Sequence, residues 1–441
     1  MGTVLIPLSL LVSLSLVTII AKTYWGGAPY HFRKKVDADV EPLLLRAADF
    51  REFQGLYWTP HGNPRPKVAV VCMHPRVDFT RHYIFSRLLE RGIGCLGANT
   101  RNPNNDTDTV HEEIILDVAA AVRFLKEFRG AEKVILIGNS GGGSLNALFQ
   151  SQATKPAKER IAIAPGGLPT RLTQVDLISA DGIVHISAHR GEGAVLMNVI
   201  DPSVIDELDP RATDPSLDMY DPRNGFRPPP EWSRYAPEFL ECYRAAQVER
   251  VKRIDAIAQK KMNAVLEAIA AMEAPGFDER PESERREIER ARHLEEVMVV
   301  YRTMANPYYV DNTLEPSARV YGSLLSHRPD LMNHRLLGFA RTVTPRAWLS
   351  TWSGLQTNAD LLKTMPDIKE PTLVVHAGAD QEIYRESDAL RIFEAAAAVD
   401  KTFIEFETAR HYFEPDFGQK ESPAVEALMD RLIPWIEERF L

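Results

Sequence analysis

Glycines bracket one serine in this 441-residue chain, in the string Gly138-Asn139-Ser140-Gly141-Gly142. The apolar run Val134-Ile135-Leu136-Ile137 precedes it, and the helix-compatible Ser144-Leu145-Asn146-Ala147 follows. A serine on such a strand-to-helix turn adopts strained backbone angles under close-packed neighbours, so small residues are required on either side. The turn aims the hydroxyl out of the end of a sheet, and the helix N-terminus beside it favours negative charge. The competing reading, a phosphate-cradling loop, wants G-x-x-x-x-G-K-[ST], and no lysine follows here.

A nucleophilic serine needs a base, and the base needs an orienting acid. In this motif class the chain order is serine, acid, histidine. Beyond residue 344 only His376 and His411 remain of the twelve histidines. His376 ends the apolar run Leu373-Val374-Val375 and reads as a sheet-end or core residue. His411 follows the last strand-like run, in a loop before the final helix, where catalytic side chains collect. It is the expected base. Asp380 directly follows the strand at 372–376 and is the expected acid, with Glu382 and Asp388 as neighbours able to substitute.

An oxyanion hole needs two N–H groups aimed where charge develops. Gly141, after the nucleophile, supplies one. The loop after the strand at 67–73 reads His74-Pro75-Arg76-Val77; Pro75 has no N–H, so the Arg76 backbone is the expected second donor and Val77 the fallback. The Arg76 side chain is also a candidate to attract an anionic substrate. His74, Asn139 and Tyr412 are candidate substrate contacts, His74 being read mainly as a loop-orienting residue. The string His61-Gly62-Asn63-Pro64 precedes this strand instead of following it, so it is set aside as an oxyanion element.

Gly138-Asn139-Ser140-Gly141-Gly142, Asp380 and His411 together resemble the catalytic set of the α/β-hydrolase superfamily. The resemblance covers residues 50–441 apart from an insertion, and His74-Pro75 departs from the common His-Gly pattern. It implies an α/β fold with an eight-stranded, mostly parallel, doubly wound sheet, a Ser-His-Asp triad, no cofactor, no metal and an inserted α-helical cap. Esters, lactones, thioesters and amides all fall within its chemistry.

The elements that must position these residues alternate as a parallel sheet with crossover helices requires. Strands are expected at 53–59, 67–73, 93–98, 134–137, 182–188, 372–376 and 402–406, and helices at 80–91 and 110–128. A final helix is expected after the cap Ser422-Pro423, with Val425, Leu428, Leu432 and Ile436 inward. The alternation stops between 189 and 344. There a Pro/Asp-rich stretch leads into helical patterns at 237–272 and 282–304, a hairpin inserted between two parts of the core, 45–188 and 345–441. The cap carries Trp232, Phe239, Tyr243, Met262, Met298, Tyr301, Tyr308 and Tyr309, which as a group favour a mostly apolar or aromatic acyl substrate.

Composition bounds the alternatives. Lys and Arg total 52 against 61 Asp and Glu, a net charge of −9 that disfavours nucleic acid as a partner. Cys72, Cys95 and Cys242 are too few and too far apart for a disulfide framework or a paired-cysteine zinc site. Residues 4–20 are apolar and uncharged, with Lys22, Arg33, Lys34 and Lys35 downstream. Within the apolar head, 1–25, this reads as a candidate membrane anchor keeping the rest cytoplasmic. A cleaved signal peptide leading to secretion, or a buried arm of a soluble protein, are the alternatives. The expected activity is carboxylic-ester hydrolysis of a small-molecule acyl substrate. An amidase, lactonase or thioesterase on the same triad, or a catalytically silent binding protein, stand behind it.

Overall fold

The computed structural model describes residues 32, 35–103, 105, 107–416 and 419–441. The anchor candidate at 4–20 lies outside the described residues; among those described, no helix is long and apolar enough to cross a membrane. Phe32 is buried against the rings of Phe79, His82, Tyr83 and Tyr412.

Eight strands form one sheet: β1 (Asp39–Arg46), β2 (Glu52–Thr59), β3 (Val68–Met73), β4 (Gly94–Ala98), β5 (Lys133–Asn139), β6 (Gly182–Ile186), β7 (Thr372–Ala377) and β8 (Lys401–Phe406). Their spatial order is β1-β2-β4-β3-β5-β6-β7-β8. β2 runs antiparallel to both β1 and β4, and all other neighbours are parallel. Two-sided burial explains the unbroken apolar runs of the central strands. In β3, Ala69, Val71 and Met73 join one core while Val68, Val70 and Cys72 join the other.

The core helices are α1 (Phe85–Glu90), α2 (His111–Arg123) and α3 (Gly142–Ala153). The cap contributes α4 (Glu192–Val199), α5 (Pro237–Glu273) and α6 (Glu282–His293), and α7 (Pro423–Phe440) closes the chain. α2 and α3 cover the face bearing Val71, and α1 and α7 cover the face bearing Val70. Pro423 opens α7, and Ser422 Oγ accepts from the Val425 N–H, as the cap sequence predicts.

Three expectations are corrected. The helix expected at 80–91 forms only from Phe85. Upstream, Asp78 takes both the N–H and hydroxyl of Thr80 into an Asx turn, and Trp58 Nε1 holds the Thr80 carbonyl. The second cap helix stops at His293, because the β-prone run after it pairs instead: Met298–Val299 lies antiparallel to Thr342–Val343. The cap's own core, from Leu196 to Trp352, also runs past the expected boundary at 344, since Trp348, Leu349 and Trp352 pack with Tyr243 and Tyr309.

The edge of β4 depends on a buried ion cluster. Arg101, almost fully buried, holds Asp117 of α2 at 2.6 Å and also pairs with Asp49 in the β1–β2 turn. Burial lifts the Asp117 carboxyl to about 6, against the opposing pull of Arg101. Removing the cation strands two carboxylates. Arg101→Ala is therefore expected to lower unfolding free energy by about 3–5 kcal/mol at neutral pH, measured by urea denaturation; a loss below about 1 kcal/mol would show that the cluster is not a structural tie.

Candidate active site

Ser140 sits between β5 and α3 with φ +55°, the left-handed region that non-glycine residues rarely enter. Its backbone is held on both sides: Ser140 N–H donates to the Ile186 carbonyl at 3.1 Å, and Gly143 N–H donates to the Ser140 carbonyl at 3.1 Å. The flanking glycines have a measurable reason. A Cβ on Gly138 would lie 2.6 Å from the Gly142 backbone, and one on Gly142 would lie 2.4 Å from the Met73 carbonyl oxygen. β3, β5 and α3 close on the turn too tightly for any side chain there.

His411 and Asp380 come from the loops after β8 and β7. His411 Nδ1 donates to Asp380 Oδ2 at 2.7 Å, with both side chains buried. This bond fixes the tautomer, leaving Nε2 as the acceptor; Nε2 makes no hydrogen bond among the described residues. Burial alone would lower the pKa of His411, but the charge and hydrogen bond of Asp380 outweigh it and hold the pKa above the ordinary imidazole value. Asp380 is itself braced by the N–H groups of Glu382 and Ile383 at 2.8 and 3.3 Å. The two substitute acids are engaged elsewhere. Glu382 accepts the Tyr309 hydroxyl at 2.6 Å and the Leu324 N–H at 3.0 Å, and Asp388 accepts the Tyr384 N–H at 3.0 Å.

Tyr412 lies edge-on to His411, ring centroids 4.5 Å apart, and burial pushes the pKa of its phenol up. The loop carrying both rings is anchored to the start of α7, where Ser422 Oγ donates to the Phe413 carbonyl at 2.6 Å.

Two expected site residues are corrected. The Arg76 N–H does not stand free as an oxyanion donor: it and the Val77 N–H both donate to His74 Nδ1, at 3.2 and 3.1 Å. Proline at 75 leaves the next two N–H groups to close the turn, and the imidazole collects both. His74 thus orients the loop, with burial and the Arg76 charge keeping it neutral. Asn139 is fully buried, its amide spent on the Ile186 carbonyl at 2.8 Å and the Tyr83 hydroxyl at 2.9 Å, so it is a tie between β5 and β6 and not a substrate contact. The residue before the nucleophile still has strand geometry and points into the core.

The cap reaches this region differently from expectation. Tyr243, Met262, Met298 and Tyr309 are buried within the cap's own core. The Arg76 guanidinium instead lies 5.4 and 5.5 Å from the rings of Phe339 and Trp352. No spacing or motif marks those two rings in the sequence. Glu192 was likewise unmarked; it is buried beside the serine turn, accepting the Ser144 hydroxyl at 3.1 Å, and a Cβ on Gly141 would lie 2.2 Å from its Oε1. Among the described residues no group of His, Cys, Asp and Glu side chains is arranged to hold a metal ion.

If His411 serves as base it must be neutral, so activity rises with pH as it loses its proton. The acid limb of kcat/KM is expected to have its midpoint above the ordinary imidazole value of about 6.5. Asp380→Asn should move that midpoint down and cost roughly 10⁴-fold in kcat. A midpoint below that of free imidazole in the wild type would contradict the pairing.

No protein-family model matches the chain, and no curated relative does. Among solved structures, DcsB in complex with its substrate analogue is similar at 11% identity and TM-score 0.46, covering 91% of this chain and 99% of that one. A fungal esterase from Rhizomucor miehei is similar at 12% and 0.45, covering 100% and 92%. The esterase domain of a Rhodothermus marinus protein is similar at 12% and 0.42, covering 91% and 100%. The strand order, the antiparallel β2 beside β4, helices on both faces and the left-handed serine between β5 and α3 give this chain the α/β-hydrolase fold with an inserted helical cap.

Proposed function

We propose that this protein is a serine hydrolase that cleaves a carboxylic ester through an acyl-enzyme. The observation that carries the reading is the strained Ser140 turn together with a buried His411–Asp380 pair at 2.7 Å, carried by loops that leave the same edge of the parallel sheet. Ser140 Oγ attacks the acyl carbon while its proton passes to His411 Nε2. The imidazolium formed is stabilised by Asp380, and the negative charge on the former carbonyl oxygen is met by the Gly141 N–H at the start of α3. Collapse expels the alcohol, which takes the proton from His411, and water repeats the sequence to release the acid.

The cap gives the substrate its environment. Its segment 344–358 is stitched to the start of α2: Thr344 N–H donates to the Thr107 carbonyl at 2.8 Å, Arg346 pairs with Glu113 at 2.6 Å and with Asp108, and Ser350 Oγ donates to Glu112 at 2.5 Å. A cap held this firmly excludes water from the reacting groups. Phe339 and Trp352 beside Arg76 support a mostly apolar or aromatic acyl group, a narrower part of the proposal than the reaction itself.

The test is covalent. A fluorophosphonate should label the wild type and not Ser140→Ala, and His411→Ala should lower ester kcat by roughly 10³ or more. An unlabelled wild type would overturn the hydrolase reading. A panel of p-nitrophenyl esters against matched amides and thioesters should favour the esters, and faster turnover of either competitor would redirect the substrate class.

A further inference from the structure

The loop that carries the catalytic acid is held from two sides. Within it, Asp380 divides its carboxylate: Oδ2 takes the His411 Nδ1–H at 2.7 Å, and Oδ1 takes the Glu382 N–H at 2.8 Å. The second bond closes an Asx turn, in which the direction of the side chain follows the backbone two residues on. From outside, the cap grips that same residue. The Glu382 carboxylate accepts the Tyr309 hydroxyl on Oε2 at 2.6 Å and the Leu324 N–H on Oε1 at 3.0 Å. One residue thus meets the cap with its side chain and the acid with its backbone. We propose that Glu382 is a positioning residue for the triad: by gripping its carboxylate, the cap fixes the Glu382 N–H that aims Asp380 at His411.

The neighbouring contacts show why the tie falls at this residue. β7 ends at Ala377, and the loop beyond it has no strand ladder to hold it in place. Its start is fixed by the Asp380 N–H, which turns back to the Ala377 carbonyl at 3.1 Å. Its end is fixed by the cap's Glu315, which accepts the N–H groups of Glu386 and Ser387 at 2.8 and 3.0 Å. Glu382 lies between these supports and takes, among the described residues, the shortest hydrogen bond that the cap makes to the loop. The tie does not depend on charge. An ionised Glu382 accepts from both donors; a protonated one donates its O–H to the Tyr309 oxygen and keeps the Leu324 N–H on its other oxygen. Glutamine reproduces the second pattern, and alanine reproduces neither. A misplacement of reacting groups by about 1 Å costs on the order of 10²-fold in rate, so the seating of the cap acts on turnover through this residue.

The proposal rests on the serine-hydrolase reading, and the experiment separates the two. Absent labelling and turnover in the wild type would remove that reading. The low-field proton resonance of the His411 Nδ1–H, by contrast, reports the bond to Asp380 whether or not an ester is cleaved; its loss from that region in Asp380→Asn assigns it. In Glu382→Ala the resonance should move upfield, and kcat should fall by roughly 10–100-fold with KM within about twofold of wild type. Glu382→Gln should return the resonance to its place and kcat to within a few-fold of wild type. Should the alanine variant fail to fold, Tyr309→Phe keeps the ring in the cap's core, removes one of the two donors, and should move the resonance and kcat in the same direction. An unmoved resonance in the variant that folds would overturn the proposal, since Glu382 would then fasten the cap alone; so would a wild type that lacks the resonance. A loss confined to KM would overturn it too. A glutamine variant as impaired as the alanine one would do the same, because charge and not the tie would then be acting.

Discussion

The left-handed backbone at Ser140 is the constraint on which the rest of the molecule depends. Such a conformation costs on the order of 1–3 kcal/mol for a residue with a side chain and persists only where its surroundings over-determine it. The sheet supplies that over-determination. β5 lies at the centre of the strand order, so the turn leaving it is gripped by β6 through the Ile186 carbonyl and by β3 through the Met73 carbonyl above Gly142. The same closeness forces glycine at 138 and 142. It also brings the loops after β3, β6, β7 and β8 to one edge of the sheet, where their side chains can act on a single hydroxyl.

The cap is fastened where it affects that edge. Glu382 is two residues from Asp380 and takes two hydrogen bonds from the cap, from the Tyr309 hydroxyl and the Leu324 N–H. Burial lifts its carboxyl to about 7, against the pull of the Tyr309 hydrogen bond. The loop that orients the imidazole therefore carries the cap as well, so a shift of one is felt by the other. On the opposite side, the contacts of 344–358 with the start of α2 fix the cap to a helix whose buried face belongs to the main core. Two attachments give a roof built on the buried side of α5, while α6, with no buried residue, stands outside it.

Much of this was legible in the sequence, for reasons that identify what was not. The central strands are buried on both faces, so they read as continuous apolar runs. β1 was not foreseen: it is an edge strand, mostly exposed, with Pro42 within it, and it carries neither a run nor a clean alternation. The serine, its glycines and the chain order of acid and base follow from local geometry that leaves a mark in residue type. Hydrogen bonds that bend back on their own loop leave no such mark. The diversion of the Arg76 N–H to His74 could not be read from His74-Pro75-Arg76-Val77, because the direction of an N–H depends on torsions that those residues only loosely restrict. The cap aromatics misled for a related reason: a helix with tyrosines and methionines at core spacing needs a core of its own first.

Electrostatics then distinguishes one histidine from several that share its burial. His74 is held neutral by desolvation and by Arg76, and desolvation brings His185 and His189 down to about 4. His376, at the end of β7, is lowered in the same way. Among the described residues none of these four has a carboxylate within hydrogen-bond distance; Glu192 approaches His189 only to 4.0 Å. His411 differs by one contact, the 2.7 Å bond to Asp380, and that contact reverses the sign of its shift. A base must accept a proton inside a dry site, where an unpaired imidazolium costs several kcal/mol. Asp380 is therefore what makes a proton on His411 affordable. The buried histidines around it can stand close to the reaction without competing for that proton.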